Sequence, residues 1–104
     1  MKQIDKTFII KNDIMARIRK EEALRWLSER ISGLNEGECL DFLCKKRNRL
    51  VRIIKNKKGF LVEERGFFKE NFEVNEKELL KLVERLFARE FPRSFMLWAH
   101  KRKA

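Results

Sequence analysis

The sequence predicts an α+β fold: about four antiparallel strands with two helices on one face, in the ferredoxin-like split βαβ order β-α-β-β-α-β. Three observations carry that expectation. The chain has 104 residues, the size of one small domain, so 1–104 is treated as a single unit. Alternating apolar residues mark a run of strands between 38 and 74, whereas 76–91 repeats its apolar residues at helical spacing. Gly and Asn fall where those patterns change.

Residues 1–6 are polar and are expected to fray. The segment 7–11 (TFIIK) is β-branched and aromatic, which suits a short strand. The next stretch admits two readings. Asn12 or Asp13 could cap a helix whose first apolar set, Ile14, Met15 and Ile18, gives way to a second, Leu24, Leu27 and Ile31. At about 100° per residue the two sets are offset by about a third of a turn, so that helix must bend near 19–22. Alternatively, Asn12-Asp13 is a hairpin turn and 14–19 a second strand. The bent helix over 13–32 is adopted in the fold above. The part 21–32 is helical on either reading, with Gly33 as its C-cap.

After a loop at 34–37, Leu40, Phe42 and Cys44 alternate and predict a strand over 38–45. A tight turn at 46–48 leads to a strand over 49–55. Asn56-Lys57-Lys58-Gly59 has the form of a type I turn closed by a left-handed Gly. A strand follows over 60–65. Gly66 marks a bulge or kink, and strand structure resumes up to Val74. Asn75 with Glu78 is a capping-box variant. Leu79, Leu80, Val83, Leu86, Phe87 and Phe91 then set one face of a helix over 76–91, which Pro92 ends. The last strand is 95–100, and 102–104 are expected to fray.

Composition narrows the function. Apolar residues make up 43% of the chain, too many for a disordered tail. No run of roughly 18 apolar residues occurs and no apolar core follows the basic start, so a cytoplasmic protein without membrane contact is expected. Abundant Lys, Glu and Arg with one Gln, Gln3, follow the thermophile pattern of ion-pair surfaces. Cys39 and Cys44 would point to opposite faces of a strand, so they are expected as buried reduced thiols rather than a disulfide.

The net charge is +10, and it is concentrated. Residues 45–58 contain eight Lys or Arg and no Asp or Glu. Outside them stand 18 basic and 16 acidic residues, or 15 against 16 once Lys101, Arg102 and Lys103 are set aside. A local excess of this kind attracts polyanions. The expected function is therefore nucleic-acid binding through phosphate contacts, with RNA slightly favoured over DNA. Arg47, Arg49 and Arg52 would make planar bidentate contacts, and Lys45, Lys46, Lys55, Lys57 and Lys58 would act as point charges, joined by the tail residues Lys101, Arg102 and Lys103. Such contacts position a partner without reading its sequence. Carboxylates from elsewhere, such as Glu63, Glu64 or Glu73, could instead neutralise the hairpin.

Phe60, Phe67, Phe68, Phe72, Phe95 and Trp98 are stacking candidates, Trp98 foremost because it neighbours the basic end. With no Tyr and nine Phe, most of these rings are needed for the core. Lys58-Gly59-Phe60 resembles the opening of the signature that RNA-recognition motifs carry on their third strand. Leu61 to Arg65 lacks its later aromatics, and no membership is assigned.

No catalytic, metal or cofactor site is expected. Structural zinc needs four ligands, more than Cys39, Cys44 and His100 supply at these separations, and no paired CxxC is present. A small ribonuclease would have to use His100 as general acid or base, with Arg102 or Arg52 on the transition-state charge. The remaining alternative is an acidic protein partner or a homodimer, joined through the open sheet face or an edge strand at 95–101.

Overall fold

The computed structural model describes residues 7–10 and 13–103, with side chains described from Ala16 onward. The expected frayed stretch 1–6, the cap at Asn12 and Ala104 lie outside them. The described strands are β1 (Thr7–Ile10), β2 (Asp13–Arg19), β3 (Glu38–Leu43), β4 (Leu50–Lys55), β5 (Phe60–Arg65), β6 (Lys69–Val74) and β7 (Met96–Lys103). They form one seven-stranded sheet in the order β1-β2-β7-β3-β4-β5-β6, with every neighbouring pair antiparallel. Helices α1 (Lys20–Arg30) and α2 (Glu76–Glu90) pack on one face of it.

The four-stranded ferredoxin-like arrangement is therefore incorrect, although the α+β class stands. Two segments account for the difference. Residues 13–19 form a strand, not the start of a bent helix. Ile14, Ala16 and Ile18 alternate, and β2 pairs along its length with β7, setting Ala16 opposite Ala99 and Ile18 opposite Leu97. Ala16 carries little hydrophobic signal in sequence, yet it is buried. The second segment follows Gly66. The chain reverses there, with Gly66 N donating to Phe68 O (3.0 Å), so β6 runs back along β5 as a separate strand.

The core fills the space between sheet and helices. Leu40 and Phe42 of β3, Val51 and Ile53 of β4, Val62 of β5 and Leu97 and Ala99 of β7 meet Ala23 and Leu27 of α1. Leu79, Val83, Leu86 and Phe87 of α2 complete it. Phe42 is its centre, edge-on to Trp26 on one side (5.6 Å) and Phe87 on the other (5.0 Å). Asn75 caps α2 as expected, accepting from Glu78 N (3.0 Å) while Glu78 Oε1 accepts from Asn75 N (3.5 Å). Both cysteines are buried and unbridged.

Three local expectations change. Helix α1 ends at Arg30 and tightens into a 3₁₀ turn over Ile31–Gly33, so Gly33 is not a left-handed C-cap. Gly59 has φ 156°, not the left-handed turn value, and an added Cβ would meet Val74 O at 2.6 Å. Strand β7 continues through Arg102 and Lys103, which pair with Cys39 and Glu38 instead of fraying. That strand lies between β2 and β3, so 95–101 is not an edge.

Candidate nucleic-acid interface

Strand β4 separates the basic hairpin into two ends. Lys45, Lys46, Arg47 and Arg49 lie in the β3–β4 turn, and Lys55, Lys57 and Lys58 lie at the β4–β5 turn. Five steps of strand place those turns roughly 17 Å apart. Lys101 to Lys103 lie at the second end, because Glu38, at the start of β3, is in register with Lys103. The eight hairpin cations and the tail are thus not one surface.

Between the ends, the sheet face away from the helices carries a compensated charge network. Asp41, Arg52 and Glu63 are cross-strand neighbours in one row. Asp41 is 4% exposed. Arg52 grips both its oxygens, with Nε to Oδ1 at 2.8 Å and Nη2 to Oδ2 at 3.2 Å. Arg102 Nε adds a third donor at 3.0 Å. Glu63 lies 3.5 Å from Arg52 and 3.7 Å from Arg65. This hydrogen bonding to Asp41 holds the Arg52 guanidinium above its ordinary pKa, against the opposing effect of burial. Burial first, then the Asp41 charge, pushes the neighbouring Cys39 thiol up to about 11. Arg52 and Arg102 are occupied by this carboxylate. His100, on β7, is in register with the same Asp41.

At the second end the charges are mixed. Lys55 Nζ sits 4.9 Å from the Phe60 ring centroid, and Lys57 and Lys58 are exposed. Asn56 Oδ1 accepts from Lys58 N (3.0 Å) and Gly59 N (2.9 Å), which fixes the turn. The hollow beside it is lined by Lys58 but also by Glu73 and Glu78.

The first end differs. A cleft of about 520 Å³ opens between the β3–β4 turn, β2 and the loop that follows α2. Arg17, Lys45, Lys46, Arg49 and Arg93 line it with Cys44, Asn48, Ser94, Phe95 and Met96, and no carboxylate among the described residues does. Among the described residues none of those five cations makes an ion pair. Arg47 stands in the left-handed region at φ 61°, an uncommon conformation for a long side chain, and its guanidinium lies 4.9 Å from the centroid of Trp98. Cys44 Sγ donates to Asn48 Oδ1 at 2.9 Å. Burial works to raise this thiol, but backbone N–H groups of the turn, from Arg49, Asn48, Lys46 and Arg47, outweigh it and lower its pKa.

Sequence reading found Lys45, Lys46, Arg47, Arg49 and Trp98 but not Arg17 or Arg93. Alternation of Ile14, Ala16 and Ile18 was the signal for Arg17, since it turns residue 17 to the other sheet face. Nothing local announces Arg93, because α2 delivers it from the far side of the fold. Of the candidate rings, Phe60 is buried and Phe72 packs against the core. Phe67, Phe68 and Phe95 are exposed.

The same end is braced from beneath by two fully buried carboxyl groups. Glu90, at the end of α2, accepts from Phe67 N (2.8 Å) and Phe68 N (3.2 Å). Its backbone O accepts from Arg49 Nε (2.8 Å), and that guanidinium lies 4.6 Å from the Phe67 ring centroid. Gly66 leaves room for this contact, since a Cβ there would strike Glu90 Oε1 at 2.1 Å. Burial, followed by the hydrogen bond to Glu64, raises the Glu90 pKa. For Glu64 burial acts upward as well, but the Arg89 guanidinium paired with it prevails and lowers it. The two carboxyl groups are thus pushed in opposite directions, Glu90 up and Glu64 down.

A pH dependence follows. Between the ordinary carboxyl range and the raised Glu90 value, the folded protein binds one proton more than the unfolded chain, so stability falls as pH rises through that window, by at most about 1.4 kcal/mol per pH unit. Glu64, lowered, contributes stability above the ordinary range that is lost only as pH falls through its folded value. Glu90→Gln is expected to flatten the alkaline-side decline and leave the acid-side one, as read by urea unfolding from about pH 5 to about pH 8. An unchanged slope would show that Glu90 is ionised in the folded state.

No helix among the described residues is long and apolar enough to cross a membrane. Nor do three or more His, Cys, Asp or Glu side chains among them form a group that could hold a metal ion. No family model, curated protein or solved structure matches the chain.

Proposed function

We propose that the protein is a small nucleic-acid-binding module that holds phosphates in the cleft beside the β3–β4 turn. The observation that carries this reading is the convergence of Arg17, Lys45, Lys46, Arg49 and Arg93 on one cleft to which no described residue brings a carboxylate. Uncompensated cations around a low-dielectric hollow focus positive potential and favour polyanions. Contacts of this kind give affinity with little base specificity. RNA is favoured over duplex DNA, because neither α1 nor α2 offers a basic face for the major groove. The exposed positions of α2 mix Lys77, Lys81 and Arg85 with Glu76, Glu78 and Glu84.

Fluorescence anisotropy with a labelled oligoribonucleotide, repeated across a salt series, tests the reading. About four phosphate contacts should make log K fall against log salt with a slope of about −3 for a single strand. Absence of binding at low salt, or an affinity insensitive to salt, would sink it.

A further inference from the structure

We infer that this cleft selects an unpaired nucleotide, seating a phosphate among Lys45, Lys46 and Arg93 and stacking the base on Phe95. The inference rests on the nucleic-acid reading above and adds a requirement for single-stranded substrate. Phe95 is 84% exposed, the most exposed large apolar side chain among the described residues. It lines the cationic cleft directly. Its main chain is nevertheless fixed. Lys20 N donates to Phe95 O at 2.8 Å, and Lys20 Nζ donates to Phe91 O at 2.7 Å, so one residue of α1 clamps both ends of the loop. A bare ring on a clamped loop has surface to bury and little conformational freedom to lose on binding.

The chemistry of the cleft distinguishes its ligand. Phosphate or carboxylate would satisfy the cations equally, but only a ligand that joins an anion to a flat ring also uses Phe95. Bases in a duplex present their edges, and their faces are covered by stacking. An unpaired base offers its face to an aromatic side chain. The volume, about 520 Å³, falls in the range of roughly 300–1,000 Å³ typical of ligand clefts, which suits one nucleotide rather than a helix. Trp98 on β7, opposite Leu43, is half-buried with the Arg47 guanidinium against its ring, which leaves Phe95 as the open platform.

The test compares wild type, Phe95→Ala and Phe95→Trp by anisotropy against three probes: an oligouridylate, an RNA duplex with the same number of phosphates, and polyglutamate. The single strand should bind at least tenfold tighter than the duplex or polyglutamate. Phe95→Ala should cost about tenfold on the single strand only, without changing the salt slope, and Phe95→Trp should restore the loss. Because the side chain is exposed, neither variant should alter the melting curve. Equal affinity for single strand and duplex, or no effect of Phe95→Ala on the single strand, overturns the inference and leaves nucleic-acid binding standing. Polyglutamate binding as tightly as oligouridylate overturns it as well. Failure to bind either RNA probe at low salt sinks both.

Discussion

Replacing Lys45, Lys46 and Arg93 together by Glu is expected to weaken RNA binding on the order of a hundredfold or more. The expectation compares two ends of one molecule. A parallel variant, Lys57→Glu with Lys58→Glu and Lys103→Glu, reverses the same number of charges at the opposite end. Three reversals remove six charges, so each protein goes from +10 to +4. All six side chains are exposed, so both variants should fold. Long-range attraction weakens equally in the two, and any difference reports where phosphates sit. The cleft variant loses its contacts and gains repulsion, whereas the other should lose no more than severalfold. The salt slope should become shallower in the first and hold in the second. Equal losses would mean that the protein attracts polyanions through net charge alone, with no site.

The second large effect concerns stability. Asp41→Ala should destabilise the fold by about 3 kcal/mol, a substantial part of the roughly 5–15 kcal/mol available to a small domain. Among the described residues, removing this buried carboxylate leaves Arg52 with the more distant Glu63 and takes from Arg102 the carboxylate it pairs with. Both guanidinium groups are about a quarter exposed (27% and 26%), so water offsets part of the loss, and the estimate sits at the low end of the cost of breaking a buried pair. Glu29→Ala is the control. Its pair with Arg30 is exposed on both sides and should matter by less than about 0.5 kcal/mol. Chemical denaturation reads both. Should Asp41→Ala unfold within about 1 kcal/mol of wild type, Arg52 and Arg102 would have to be counted as cations free to meet phosphate.

The middle of the hairpin illustrates why a basic run can mislead. From 45 to 58 the sequence holds no acid, yet Arg52 sits among Asp41 and Glu63, supplied by the strands on either side. Strand pairing takes place across the sheet, so a charge is compensated by its register partner and not by its chain neighbour. The run is also longer than one strand, which sends its two halves to opposite ends of the sheet.

What the sequence determined by itself was local. The capping box at Asn75, the apolar periodicity of α2, the alternation in β3, β4 and β5 and the turn fixed by Asn56 are all set by residues a few positions apart. Their physics is complete inside a short window. Tertiary structure decided whatever depends on distant partners. Residues 13–19 had to be a strand because β7, about eighty residues on, supplies the hydrogen bonds and the Ala16–Ala99 fit. The reversal at Gly66 needed the Glu90 carboxylate from the end of α2. The cleft needed Arg17, the 44–49 turn and the 93–96 loop at one end of a sheet. Such contacts join residues whose separation no periodicity encodes, and their free energy appears only once the chain has closed the loops between them.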